Sequence, residues 1–200
     1  VFGDGPQIAG ANLYYMPQKK ENGYMIRLDE IPEDVAEKAK LMVVSYPNNP
    51  TTAMAPDSFY EELIAFASRH DIIVLHDNAY SDLVFDGRTC GSFLGFPGAK
   101  EVGVEFNSLS KTYGLAGARI GFCLGNEAVV SRIKLLKSNM DYGMFLPIQA
   151  AAIAAITGDQ SCVHTTMKAY ETRRNIMCDG FTGIGWKMER PAATMFVWAG

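Results

Sequence analysis

The sequence has no long apolar run. None of its apolar stretches approaches the roughly 18 residues of a membrane-crossing helix, so a chain built on transmembrane helices is excluded. It has no excess of positive charge. Lys and Arg number 18 against 22 Asp and Glu, and the formal net charge is −4 with the three histidines neutral. A nucleic-acid surface is therefore not expected. Cysteines are few and scattered. Cys90, Cys123, Cys162 and Cys178 form no C-x-x-C pair, so neither a zinc site nor a disulfide framework is indicated. No metal is expected, and a reducing cytoplasm is the simplest setting. The opening Val1-Phe2-Gly3-Asp4 has neither the basic region nor the apolar core of a secretory signal. Repeats and low-complexity tracts are also missing. What remains is a 200-residue chain, 48% hydrophobic and 20% charged. That is enough for one large domain, or a domain and a fraction, with a sizeable core.

Apolar runs alternate with helical periodicity. Leu41-Met42-Val43-Val44-Ser45-Tyr46 is continuous, as expected of a strand buried on both faces. Residues 57–70 read as a helix with Asp57 or Ser58 as cap, and with Phe59, Leu63, Phe66 and Ala67 on one face. Ile72-Ile73-Val74-Leu75 is the next buried strand, and Asp77 lies just past its end. Val102–Phe106 and Ile120–Leu124 add two more strands. This strand–helix–strand order predicts a mostly parallel α/β sheet with right-handed crossovers. Ahead of it lie a short helical stretch, a strand at Asn12–Met16, and a helix from Pro32 to about Lys40. Behind it come three helices. The first carries the stripe Val129, Ile133, Leu136 and Met140. The second runs from about Pro147 to Ile156 and is closed by Gly158. The third spans about 160–180. Lys187–Glu189 and Met195–Trp198 read as closing strands.

The chemistry concentrates in Ser108-Leu109-Ser110-Lys111-Thr112-Tyr113-Gly114-Leu115-Ala116-Gly117-Ala118-Arg119-Ile120-Gly121. Two hydroxyls precede the lysine and an arginine follows it. Hydroxyls and a planar guanidinium fork suit a phosphate. A guanidinium close by disfavours the ammonium form of a lysine, which can then act as a neutral amine nucleophile. An amine nucleophile beside a phosphate site suits a phosphorylated aldehyde, pyridoxal 5'-phosphate. A glycine-rich turn with an exposed lysine is the plain alternative for this segment alone.

The segment resembles the lysine motif of the fold-type I, class I/II pyridoxal-phosphate aminotransferases. Tyr46-Pro47-Asn48-Asn49-Pro50-Thr51 and His76-Asp77-Asn78-Ala79-Tyr80 match that family in the same order. The likeness covers nearly the whole chain. Tyr46–Ala53 and Ala193-Thr194-Met195-Phe196-Val197-Trp198 are most similar to its LL-diaminopimelate aminotransferase-like branch.

The resemblance implies a large domain in three α/β/α layers over residues 1–158, with its N-terminal portion missing. It implies a connecting helix and the start of a small domain over 159–200. The implied activity is transfer of an amino group between an amino acid and a 2-oxo acid, through a Lys111 Schiff base, in a cytoplasmic homodimer. Lys111 would also move the substrate's α-proton. Asp77 would pair with the pyridine nitrogen. Tyr80 and Asn49 would hydrogen-bond the ring's 3′ oxygen, and Ser108, Ser110 and Arg119 would hold the phosphate. Taken singly, a capping Asp, a core Tyr and a turn Asn remain alternatives for Asp77, Tyr80 and Asn49. His76 adjoins Asp77 and is not counted among the site residues.

Many members carry glycine where this chain has Thr52, which marks one branch. Asp141–Phe145 falls where the family sends a loop across its dimer interface; core packing is the alternative. Asn49–Pro50 is expected to be cis. The chain reads as part of one about twice as long, and the arginine that grips the substrate carboxylate would lie outside it. The 200 residues alone are therefore not expected to transaminate. A C–S lyase similar to cystathionine β-lyase, or a non-catalytic regulator with an aminotransferase-like domain, are the other readings of the same scaffold.

Overall fold

The computed structural model describes residues 2–199. A four-stranded sheet runs in the order β1 (Leu41–Ser45), β2 (Ile73–Asp77), β3 (Gly103–Ser108) and β4 (Gly121–Gly125). β1, β2 and β3 are parallel, with Ser45 opposite Asp77 and Asp77 opposite Phe106. β3 and β4 are antiparallel, with Ser108 opposite Gly121. The sheet is thus mostly parallel and flanked by helices, an α/β fold. The lysine segment is the connection between the two antiparallel strands, which needs no crossover. Leu41 is 45% exposed while Met42 and Val44 are buried. β1 is an edge strand among the described residues, so it is not covered along its whole length as its apolar run suggested.

Two short helices, α1 (Asp4–Ile8) and α2 (Glu33–Ala36), precede the sheet. α2 is shorter than the helix expected to reach Lys40. β1 and β2 are joined by α3 (Asp57–His70). Its residues Phe59, Tyr60, Leu63, Ile64 and Ala67 are buried in one core with Met42, Val44, Ile72, Val74 and Phe93. Neither Asp57 nor Ser58 caps it. Pro56 holds that place in extended conformation, with no side-chain bond, and Pro fits a helix start because the missing N–H has no partner there anyway. Leu63 is fully buried. Leu63→Ala is expected to cost about 2–5 kcal/mol, read as a lower denaturant midpoint at unchanged slope. A loss within the roughly 0.5 kcal/mol typical of surface sites would show that α3 does not pack there.

Two single-turn helices, α4 (Ala99–Val102) and α5 (Leu109–Thr112), flank β3. Then follow α6 (Glu127–Met140), α7 (Leu146–Thr157) and α8 (Ser161–Gly183), where the periodicity placed them. Their faces are more open than the patterns suggested. Leu136 and Met140 on the α6 stripe are 63% and 74% exposed, because nothing among the described residues covers them. Tyr142 and Phe145 are likewise exposed, so the 141–145 stretch does not pack into the core described here. No helix among the described residues is long and apolar enough to cross a membrane.

Three expected strands are not formed. Asn12–Met16, Lys187–Glu189 and Met195–Trp198 pair with no strand among the described residues. Apolar alternation without a free neighbouring edge yields extended chain and no ladder. Ala193 does form an isolated bridge with Val84, flanked by Phe85 N–H to Ala192 O and Thr194 N–H to Leu83 O. α8 fastens this seam. Arg174, 5% exposed, donates to both carboxylate oxygens of Asp86 at 2.8 and 2.7 Å and to Pro191 O at 2.8 Å. Its guanidinium also lies 4.8 Å from the Phe85 ring centroid.

Candidate active site

In open α/β sheets ligands bind beyond the carboxyl ends of the strands, and the predicted site residues lie there. After β1 the chain turns through Pro47–Pro50. Asn48 closes the turn. Its amide donates to Ser45 O at 3.0 Å and its side-chain oxygen accepts from the Thr51 hydroxyl at 2.7 Å. The turn leaves Asn49 exposed, with Nδ2 3.5 Å from the Tyr80 hydroxyl. Asn49–Pro50 is cis, as expected, and so is Tyr46–Pro47, which was not foreseen. Thr52 sits at φ 66°, in the left-handed region that glycine enters at little cost. A β-branched residue therefore fills a glycine-type position, and its amide donates to Asn48 O at 2.9 Å.

Asp77 is half-buried at the end of β2. Its Oδ1 accepts from Ala79 N–H at 3.2 Å, the turn-forming role that was its alternative reading. Oδ2 makes no hydrogen bond among the described residues. Burial pushes the carboxyl above its ordinary range, against the Ala79 N–H and the charge of His76. Tyr80 is buried. Burial and the charge of Asp77 push its hydroxyl up, against the Asn49 bond. Lys111 Nζ lies 6.0 Å from the Tyr80 ring centroid. Asn49, Tyr80 and Lys111 thus form one cluster, with Asp77 at its base.

Lys111 rides on α5. Ser108 caps that turn: its Oγ accepts from Ser110 N–H at 3.1 Å and its hydroxyl donates to Ile120 O at 3.4 Å. The Ser110 hydroxyl makes no hydrogen bond among the described residues. Gly121 lies opposite Ser108, and a Cβ there would meet Asn107 O at 2.6 Å, so only glycine allows so close a hairpin. Arg119 is exposed, and its Nη1 donates to Ala116 O at 2.9 Å. The three residues assigned to a phosphate share one loop. Two of them are engaged with its backbone, so the cradle is not closed.

Several residues of the neighbourhood were missed. The Thr112 hydroxyl donates to Asp82 Oδ2 at 2.7 Å, and Asn107 Nδ2 donates to Ser81 Oγ at 3.4 Å. These bonds tie the lysine turn to the Tyr80 segment. The Phe196 ring lies 5.6 Å from the Tyr80 ring. Thr112 offered a legible signal, a hydroxyl beside the nucleophile; Asp82 and Phe196 meet the site only through the fold. Two surface clefts, one at His164, Lys168 and Arg173 and one at Glu33, Arg69 and Asp71, hold none of these residues. Both are open depressions beside helices, and the strand-end cluster is the better candidate because its groups converge.

Over residues 2–200 the sequence matches the family described as aminotransferase class I and II. The chain belongs to that family. Among curated relatives it is 46% identical over 199 residues to the LL-diaminopimelate aminotransferase of Moorella thermoacetica, covering all of this chain and 51% of that protein. It is 47% identical over 198 residues to the enzyme of the same name from Syntrophobacter fumaroxidans. This aminotransferase chain spans about half the length of the curated relatives it matches. Among solved structures, substrate-bound BacF from Bacillus subtilis superposes with a TM-score of 0.93 at 40% identity, over 98% of this chain and 50% of BacF. A Thermus thermophilus aspartate aminotransferase variant gives 0.85 at 26% identity, over 94% and 49%.

Proposed function

We propose that this aminotransferase chain supplies the cofactor-binding half of a pyridoxal-phosphate enzyme that moves an amino group between an amino acid and a 2-oxo acid. The observation that carries this is the cluster of Lys111, Tyr80 and Asn49 beside Asp77 at the strand ends. The donor set fits the cofactor. Asp77 offers a carboxylate oxygen with no other partner. Tyr80 and Asn49 offer a hydroxyl and an amide close together. Ser110 offers a hydroxyl with no partner, and Lys111 is the amine on the same turn. When bound, the cofactor supplies the electron sink that lets an amino acid's α-hydrogen leave as a proton.

Lys111 Nζ is the amine that bonds the cofactor's aldehyde carbon. Once displaced by substrate, it takes the α-proton and returns it to the neighbouring carbon. Asp77, as carboxylate, keeps a proton on the facing ring nitrogen. Tyr80 and Asn49 orient the ring through its oxygen. Ser108, Ser110 and Arg119 hold the phosphate, for which Arg119 turns away from Ala116 O. The relatives' names make LL-diaminopimelate the first amino donor to test. The division at residue 158, the homodimer and the cytoplasmic setting belong to the same proposal.

Borohydride reduction of the protein with pyridoxal phosphate, followed by peptide mapping, is expected to place the pyridoxyl group on Lys111. Label on Lys134 or Lys137 instead would overturn the assignment.

A further inference from the structure

A buried ionic pair lies beneath the site. His76 precedes Asp77 in β2 and points to the opposite face, as alternation along a strand requires. It is completely buried. The register sets it opposite Glu105 of β3, and its Nδ1 lies 3.2 Å from Glu105 Oε2. On the other side Nε2 lies 3.1 Å from Tyr46 O and 3.4 Å from the Tyr60 hydroxyl. Glu105 is 7% exposed. Its Oε2 also accepts from Phe93 N–H at 2.8 Å and from the Ser92 hydroxyl at 2.9 Å. An oxygen receiving these donors is that of a carboxylate. Burial opposes its charge, but His76, Asn78 and Ser92 outweigh burial and hold the carboxyl below its ordinary range. A backbone carbonyl can only accept. Both ring nitrogens of His76 therefore face acceptors, and the geometry calls for a hydrogen on each.

We propose that Glu105 is a positioning residue which, by holding His76 as a cation, keeps Asp77 ionised. The functional value of this rests on the cofactor reading above. The groups facing His76 are Glu105 from β3, the Tyr46 carbonyl from β1, Tyr60 from α3, the Phe93 ring from its turn, and Asp77 on its own strand. Tyr60 is held as a neutral phenol by burial. Cys90, near Glu105 and Tyr60, has its thiol pushed up to about 11 by burial. The anion of the pair is thus Glu105, and the cation beside Asp77 is His76. A network that only pinned the Ser92–Phe93 turn would need the carboxylate and its N–H donors, with no second proton on the ring. Removing the Glu105 charge lets that proton go, and Asp77 loses the cation that offsets its burial.

The test is nuclear magnetic resonance on the protein without cofactor, labelled with nitrogen-15 in histidine and carbon-13 in aspartate carboxyls. At neutral pH, His76 is expected to carry hydrogen on both nitrogens. Glu105→Gln should convert it to a neutral ring and move the Asp77 titration to higher pH. His76→Gln, which keeps an amide donor without charge, should move Asp77 the same way. Ser92→Ala, which removes one hydrogen bond to Glu105 and no charge, should leave Asp77 in place. A neutral His76 in the parent protein, or an unmoved Asp77 in folded His76→Gln, would overturn the proposal. Should Glu105→Gln fail to fold, the parent spectrum and His76→Gln decide it. A displaced Asp77 in a protein that binds no pyridoxal phosphate would support the pair and count against the cofactor reading; cofactor binding with an unmoved Asp77 would do the reverse.

Discussion

Lys111→Ala is expected to abolish amino-group transfer while leaving the fold in place. Its contact on the page is with the Tyr80 ring, and a cation–π pair of that kind contributes about 0.5–1 kcal/mol at an exposed site. The chemical loss is far larger. Proton transfer alone contributes on the order of 10²–10⁴-fold, and the covalent hold on the cofactor goes with it. Lys111→Arg sharpens the test, since it keeps the charge but offers a guanidinium that does not give up its proton. Both variants should melt near the parent, show no borohydride label and produce no keto acid. Near-parent turnover by Lys111→Arg would show that the position supplies only charge.

Asp77→Asn is expected to lower transamination on the order of 10²–10³-fold, the loss typical when a fixed electrostatic partner of the reacting group is removed. Borohydride should still label Lys111, because the amine is untouched. Stability should move the other way. Burial raises the Asp77 carboxyl above its ordinary range. A raised carboxyl contributes stability below its unfolded value, about 3.9, and that contribution is lost as pH rises through the folded value. At neutral pH the charge is therefore a cost, and asparagine removes it while an amide oxygen can still accept from Ala79 N–H. Without cofactor, Asp77→Asn should melt above the parent at neutral pH, and the gap should close in acid. A variant that melts lower at neutral pH, or turns over normally, would remove Asp77 from its assigned role.

The strands and long helices were legible because their cause is local. Leu41–Ser45 and Ile73–Asp77 announce themselves as apolar runs, and α3 by its spacing of Phe59, Leu63 and Ala67. Lys111, Asp77 and Asn49 were legible as punctuation at strand ends. What stayed hidden depends on partners. Residues 195–198 have strand composition but no ladder to join. Asp57 has the chemistry of a cap, yet Pro56 stands in the capping place. Ser108 looks like a phosphate ligand, and its oxygen serves α5. Glu105 could not be read at all, because an acidic residue in an apolar strand has meaning only once His76 lies across from it.

Chain length is free on one side of the Val84–Ala193 seam and fixed on the other. The seam sets Leu83 against Thr194, three residues after Tyr80 and two before Phe196. Beyond Asp86 the loop emerges into solvent, with Gly87, Arg88 and Thr89 exposed. An insertion there adds only slack, since the entropy of a closed loop grows slowly with its length. A single residue added between Thr194 and Phe196 has no such outlet. Side chains alternate along extended chain, so the added residue would rotate the Phe196 ring to the far side and leave Tyr80 bare. Homologous chains built on the same seam can therefore differ in size at 87–91 and must keep count at 194–196.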